Sequence, residues 1–289
     1  MGRLTDEPLC IGFEVELIVT PIMDRLRASD SGIGAGPSVP GSCGKTSRAS
    51  AFGPLEVENP LDPEEGGKQA YRGWIVRGDP SLRPSSPEQV GFEFSSPIFR
   101  ARDALWFEQI ESIFTSLPDY FEIVPSERCG THIHIKPEGG PSRKSNEFCA
   151  DNRGGRHVED MSGGDLRFVL GRIERKKKIN TLVEYMCPGP EKGPPERNYV
   201  WNLTHVDVRR SCGTVEFRGA GMSGSKGEVE KWVTFVVGFV RSANLAEGNS
   251  YDPYADTDPT RRDLLDFVRG GILPPARRSL RRFKSDSQE

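Results

Sequence analysis

Four short stretches of the chain alternate apolar with polar or ionisable residues. They are "GFEVEL" at 12–17, "GFEFSS" at 91–96, "THIHI" at 131–135 and "TVEFRG" at 214–219. Strict alternation is the period of a β-strand, in which successive side chains point to opposite faces. Glu14 and Glu16 therefore share one face, with Phe13, Val15 and Leu17 on the other. Glu93 and Ser95 oppose Phe92 and Phe94. His132 and His134 oppose Ile133 and Ile135, and Glu216 and Arg218 oppose Val215 and Phe217. An ordinary half-exposed strand mixes Thr, Ser, Lys and Arg on its wet side. Here that side is rich in carboxylates and imidazoles.

Strands of this kind constrain the fold to a sheet with one apolar face, which has to be covered. Strands are expected at 9–20, 73–78, 91–96, 120–124 and 130–137, with a hairpin over 202–208 and 213–219. Amphipathic helical spacing is present at 101–117, where Leu105, Ile110, Ile113, Phe114 and Leu117 recur on one side. Further helices are expected at 164–186, 227–244 and 260–270, with Gly270 as a C-cap for the last. The fold class is α+β. The whole of 1–289 reads as a single domain. A Gly-, Pro- and Ser-rich insertion is expected at about 25–70, shorter loops at 138–163 and 187–197, and a mobile basic tail from about 275.

Several function classes lose support from bulk properties. The net charge of −3 gives no reason to expect nucleic acid or an anionic membrane as a partner. The longest apolar run, "WVTFVVGFV" at 232–240, is about half of what a membrane span needs. The first residues lack the basic-then-apolar pattern of a secretory signal, so a cytoplasmic location is expected. The 6 cysteines contain no CxxC pair, which speaks against a thiolate zinc site. "GSCGKTS" at 41–47 is not a phosphate-binding loop, because Val39 stands where the first glycine is required.

If the four alternating strands share a sheet, four carboxylates, two imidazoles and a guanidinium converge. Like charges at close range raise one another's pKa or require cations. Hard oxygen ligands with one or two nitrogens favour Mg²⁺ or Mn²⁺, held partly by substrate phosphates. Arg218 could then fork onto phosphate oxygens. Asp79, on the turn after 73–78, could join from the sheet edge. Asn202 and His205 fall near this set on the strand before 213–219.

The ordered set "GFEVEL", "WIVRGDPSL" with "GFEFSSPIF", "CGTHIHI" and "WNLTH…GTVEFRG…VEKWVTFVVGFVRSA" resembles the amidoligase family common in fungi. That family is similar to glutamine synthetase and glutamate–cysteine ligase. The resemblance covers most of 9–245. It implies an antiparallel sheet curved into a partial barrel, like the glutamine synthetase catalytic domain, with helices packed on its outer face. It implies an ATP-dependent ligase joining a carboxylate to an amine through an acyl phosphate. It implies Glu14, Glu16, Glu93, His132 and Glu216 as metal ligands, and His134, Arg218 and Ser95 as nucleotide-binding residues. Arg218 and Asp79 are the expected catalytic residues. The cofactors would be ATP with Mg²⁺ or Mn²⁺, and the partners carboxylate and amine substrates. Related ligases often form homo-oligomers. Two other readings stay open: a catalytically inactive nucleotide- or metal-binding module on the same fold, and a cupin-like metal protein using His132, His134 and Glu138.

Overall fold

The computed structural model describes residues 8–25, 56–57, 73–138, 173, 175–190, 193–206, 213–246 and 260–272. Its centre is β1 (Leu9–Pro21), a 13-residue strand. The sheet also contains β2 (Glu56–Val57), β3 (Ile75–Gly78), β4 (Val90–Ser95), β5 (Phe99–Arg100), β6 (Phe121–Val124), β7 (Gly130–Pro137), β8 (Trp201–Asn202) and β9 (Val215–Gly221). The order is β2-β3-β4-β1-β7-β9-β8. Two short strands, β5 and β6, also pair with β1, each beyond the end of a longer neighbour. All described pairings are antiparallel except β2 with β3. The sheet is open rather than closed into a barrel.

Both faces follow from the alternation. Leu9, Ile11, Phe13, Val15, Leu17 and Val19 of β1 all point into one apolar core. Helices cover that side. Helix α1 (Leu105–Ser116) contributes Trp106, Ile110 and Ile113. Helix α2 (Ile179–Met186) contributes Leu182, Val183 and Met186. Helix α3 (Lys226–Ala246) contributes Val229, Val233, Val236 and Val240, a single stripe at helical spacing. Helix α4 (Arg261–Gly270) packs on α3 through Val268, Phe235 and Phe239. Burying each such side chain stabilises the fold by ~1.5–3 kcal/mol, so the apolar face sets which side of every strand is left for chemistry. Among the described residues no helix is long and apolar enough to cross a membrane.

Four expectations are corrected. The strand expected at 202–208 ends at Asn202. The Asn202 side-chain oxygen accepts from the Thr204 N–H at 2.9 Å and from its hydroxyl at 2.7 Å, folding the chain into a turn. The helix expected over 164–186 is interrupted: Ile173 is helical, 175–178 are not, and helix resumes at Ile179, while 164–172 lie outside the described residues. Lys178 is extended, and the Lys176 ammonium lies 5.1 Å over the Tyr185 ring, drawing that segment back across the helix. The cap of α4 is Gly271, not Gly270, while Thr260 and Asp263 close its start with a capping box. Two strands, β2 and β5, were not anticipated, and β2 lies within the expected insertion. The rest of that insertion beyond Arg25, residues 139–163 and the tail from 275 lie outside the described residues.

Candidate metal centre

The face of β1 turned away from the helices carries Glu14 and Glu16. Register brings the other ionisable groups to them. Glu14 lies opposite Ser95 on β4 and His132 on β7, and Glu16 lies opposite Glu93. His134 lies opposite Gly12 on one side and Glu216 of β9 on the other. Arg77 of β3 stands beside Glu93. The sequence does not single out this cationic neighbour, which falls in the strand expected at 73–78.

Two ligand-competent sets result: Glu14, His132 and Glu216, and Glu16, Asp79 and Glu93. Within each set the ligand atoms lie within 4.8 Å of one another. Around His132 Nδ1, carboxylate oxygens of Glu14, Glu16 and Glu216 stand at 3.3, 3.7 and 3.7 Å. His134 Nε2 is 3.4 Å from Glu14 and its Nδ1 is 3.2 Å from the Thr214 hydroxyl. Three of these ionisable groups are buried, Glu216 at 1% exposed, His132 at 6% and Glu16 at 8%, and the other four, Glu14, Asp79, Glu93 and His134, are half-buried. Oxygen donors with an imidazole nitrogen, facing inward in two groups, fit hard divalent cations such as Mg²⁺ or Mn²⁺.

Neutral donors orient Glu16, Glu93 and Glu216. The Gly130 N–H donates to Glu16 Oε2 at 2.7 Å, and the Ser95 hydroxyl to Glu93 Oε1 at 2.7 Å. The Asn202 amide donates to Glu216 Oε2 at 2.6 Å. Arg218 Nη1 donates to the other Glu216 oxygen, also at 2.6 Å. Outer partners of this kind fix the rotamer and direct the remaining lone pairs inward.

Asp79 reaches the second set through a tight turn. Its Oδ1 accepts from the Ser81 N–H at 2.7 Å. Leu82, fully buried, then anchors the turn on Ile18 and Cys129. A side chain at Gly91 would stand 3.0 Å from Leu82, so the glycine permits this approach. Arg83 follows in the left-handed region at φ 45°, which costs a non-glycine residue ~1–2 kcal/mol. Arg218 is positioned by a bulge: one β7 residue, His132, faces two of β9, Arg218 and Gly219. A Cβ on Gly219 would meet Phe217 and Val200 at 2.9 Å.

The electrostatics separate the carboxylates. Burial pushes Glu14 up, but hydrogen bonds and charge from His132 and His134 outweigh it and hold the acid well below its ordinary value. Burial also opposes ionisation of Glu216, yet His205, His134, Arg218 and Asn202 together bring it to about 2. Glu16 is raised by burial, with Asp79 adding to the shift. Glu93 is raised by burial and by the charges of Glu14 and Glu16.

The structure thus brings together Glu14, Glu16, Asp79, Glu93, Ser95, His132, His134, Glu216 and Arg218. It adds Asn202 and His205, whose Nε2 lies 3.5 Å from Glu216. A continuous strand would have put these two on opposite faces; the turn at Thr204 returns both to Glu216. Glu138 pairs with Arg100 at 2.5 Å, away from the histidine pair that a cupin site would need it to join.

One family model, described as "Putative amidoligase enzyme", matches residues 7–146. That segment holds Glu14, Glu16, Asp79, Glu93, His132 and His134. No curated protein and no solved structure matches the chain.

Proposed function

We propose that this chain, an amidoligase-family protein over residues 7–146, is an ATP- and Mg²⁺-dependent ligase joining a carboxylate to an amine through an acyl phosphate. The observation that carries the reading is the pair of ligand sets side by side on one sheet face. Two adjacent cation positions suit a polyphosphate, whose charge needs more than one counter-ion. Glu14, His132 and Glu216 would hold one ion and Glu16, Asp79 and Glu93 the other. In this reading Asp79 is a ligand rather than a catalytic group. Bound divalent ions would neutralise phosphate charge and fix the phosphoryl group in line with its acceptor.

The chain's own residues do the remainder. Arg218 is anchored through one guanidinium nitrogen on Glu216, and its fork has further N–H donors for a phosphate oxygen. His134 lies between Glu14 and Thr214, at the edge of the cradle. Ser95 spends its hydroxyl on Glu93 and Cys129 is buried, so neither serves as a nucleophile. The acid oxygen attacks phosphorus, ADP leaves, and the amine then displaces phosphate from the acyl carbon. Positioning and charge neutralisation are enough for both steps.

Calorimetry of ATP with and without Mg²⁺, on wild type and on Glu14→Ala/Glu16→Ala, tests this. Mg²⁺-dependent binding that the double variant loses is expected. Absence of nucleotide binding with either Mg²⁺ or Mn²⁺ refutes it. Binding without turnover across a broad screen of acids and amines would leave an inactive module.

A further inference from the structure

The wet face of the sheet continues past the carboxylates. Beyond Glu14, β1 carries Gly12 and Cys10 on the same face, and beyond His134, β7 carries Lys136 opposite Cys10. Gly12 leaves its position open: an added Cβ would meet only the Ser96 hydroxyl, at 3.9 Å. The bare backbone there floors a cavity of about 70 Å³, walled by Ser96, Ile98, Thr214 and Lys136 and opening onto Glu14 and His134. Ile98 keeps 52% of its surface exposed at this wall.

We propose that this cavity holds the hydrocarbon chain of the acid substrate, a short straight aliphatic carboxylate whose carboxyl group lies at the Glu14–His134 end. The proposal rests on the ligase reading above. Three observations favour this occupant. First, among the described residues the opposite end of the face is covered by Leu82 packed on Ile18 and Cys129. A molecule with its carboxyl group at Glu14 therefore has to extend over Gly12. Second, the volume is far below the ~300–1,000 Å³ of sites that enclose drug-sized ligands, which suits a few methylenes and not a purine. Third, Lys136 stands on the rim. Its stem and the exposed Ile98 give apolar surface along which an uncharged chain packs.

The test uses hydroxylamine as the amine and straight-chain acids from acetate to octanoate. The acid oxygen forms a bond to the terminal phosphorus of ATP and ADP leaves. Hydroxylamine nitrogen then bonds to the acyl carbon, the carbon–oxygen bond to phosphate breaks, and a nitrogen proton passes to solvent. The hydroxamate is read by its ferric complex. MgATP affinity is measured beside it by calorimetry, on the full chain.

Wild type is expected to prefer an intermediate chain length. Gly12→Val fills the floor, where an added Cβ meets only the Ser96 hydroxyl at 3.9 Å. It should lose ~10-fold or more on the preferred acids, as crowding in an apolar pocket does, while acetate turnover and MgATP affinity hold. Ile98→Ala should move the preference to longer chains. An unchanged chain-length profile in both variants overturns the proposal. So does a weakened MgATP affinity in Gly12→Val, which would place the base in the cavity. Wild type that binds MgATP but makes no hydroxamate from any of these acids overturns the substrate class and leaves the ligase reading standing. Wild type that binds no MgATP removes the ligase reading, and this proposal with it.

Discussion

Asn202 offers the sharpest test of whether the neutral donors around the carboxylates matter for ion binding. It is fully buried, and its amide nitrogen is 2.6 Å from Glu216 Oε2. Asn202→Leu keeps the number of side-chain heavy atoms and removes the donor. Glu216 then loses one hydrogen bond to a charged acceptor, worth ~1.5–3 kcal/mol. Thr204 is half-buried, so water can take up the groups that Asn202 Oδ1 had satisfied. Glu216 would keep Arg218 on Oε1 and His205 at 3.5 Å from Oε2, but lose the short hydrogen bond to Oε2. Removal of such an outer partner weakens metal affinity ~10–100-fold. The assay is Mn²⁺ titration followed by electron paramagnetic resonance, with urea unfolding run in parallel. A lower unfolding free energy together with weaker Mn²⁺ binding is expected. Folded Asn202→Leu that binds Mn²⁺ as tightly as wild type refutes the argument, because a purely structural asparagine would lower stability alone.

Gly130→Ala should weaken Mn²⁺ binding with little change in unfolding, because its Cβ would stand 3.0 Å from His132 Nε2 and 3.4 Å from Glu16 Oε2; the same titration checks it. Burial pushes the Cys187 thiol from its ordinary 9.0 up to about 11. A neutral thiol is thereby favoured in the fold, so its contribution is intact below pH 9 and fades as pH rises through 11. That contribution is worth roughly 2–3 kcal/mol, and Cys187→Ala should flatten this alkaline loss in urea titrations at stepped pH. Thr260→Ala removes the cap of α4 and should cost about 1 kcal/mol in the same unfolding assay. Its partner Asp263 has a lowered pKa from the Thr260 hydrogen bonds, so the carboxylate's share of the cap holds above the ordinary aspartate value and is lost as pH falls through the lowered one.

Much of the fold was legible because alternation is a strong signal where one face is buried. β1 and β7 read off almost residue by residue, since each apolar residue had to meet the core. What alternation does not contain is register. Nothing in "GFEVEL" or "GFEFSS" says that Glu16 lies opposite Glu93 while Glu14 lies opposite Ser95, yet that offset divides the acids into two sets rather than one crowd. Asn202 and His205 were hard to rank for a related reason. "NLTHVDV" alternates well enough to pass as a strand, and only the capture of the Thr204 N–H by the Asn202 side chain breaks it. The basic run at 175–178 was read through as helix because no glycine or proline interrupts it. Local propensity could not foresee a lysine folding back over Tyr185.

The two ligand sets differ in where their residues originate, and this bears on how the site is assembled. Glu16, Asp79 and Glu93 all fall within the family-matched segment, on β1, β4 and the turn after β3. The other set takes Glu14 and His132 from that segment, but Glu216 comes from β9, beyond its end. Strand β9 is held against β7 by backbone pairing and against α3 by Phe217 on Trp232 and Phe235. Glu216 is thus positioned by the same residue alternation that buries Phe217: the core contact on one side fixes the ligand on the other. Any change that loosens Phe217, such as truncation to alanine, should reach the metal centre through Glu216. It should weaken the first ion position while leaving the second, built on β1 and β4, close to its original affinity. Mn²⁺ titration of Phe217→Ala would then resolve two classes of site with unequal losses. Equal losses at both would mean that the sets are not independently supported.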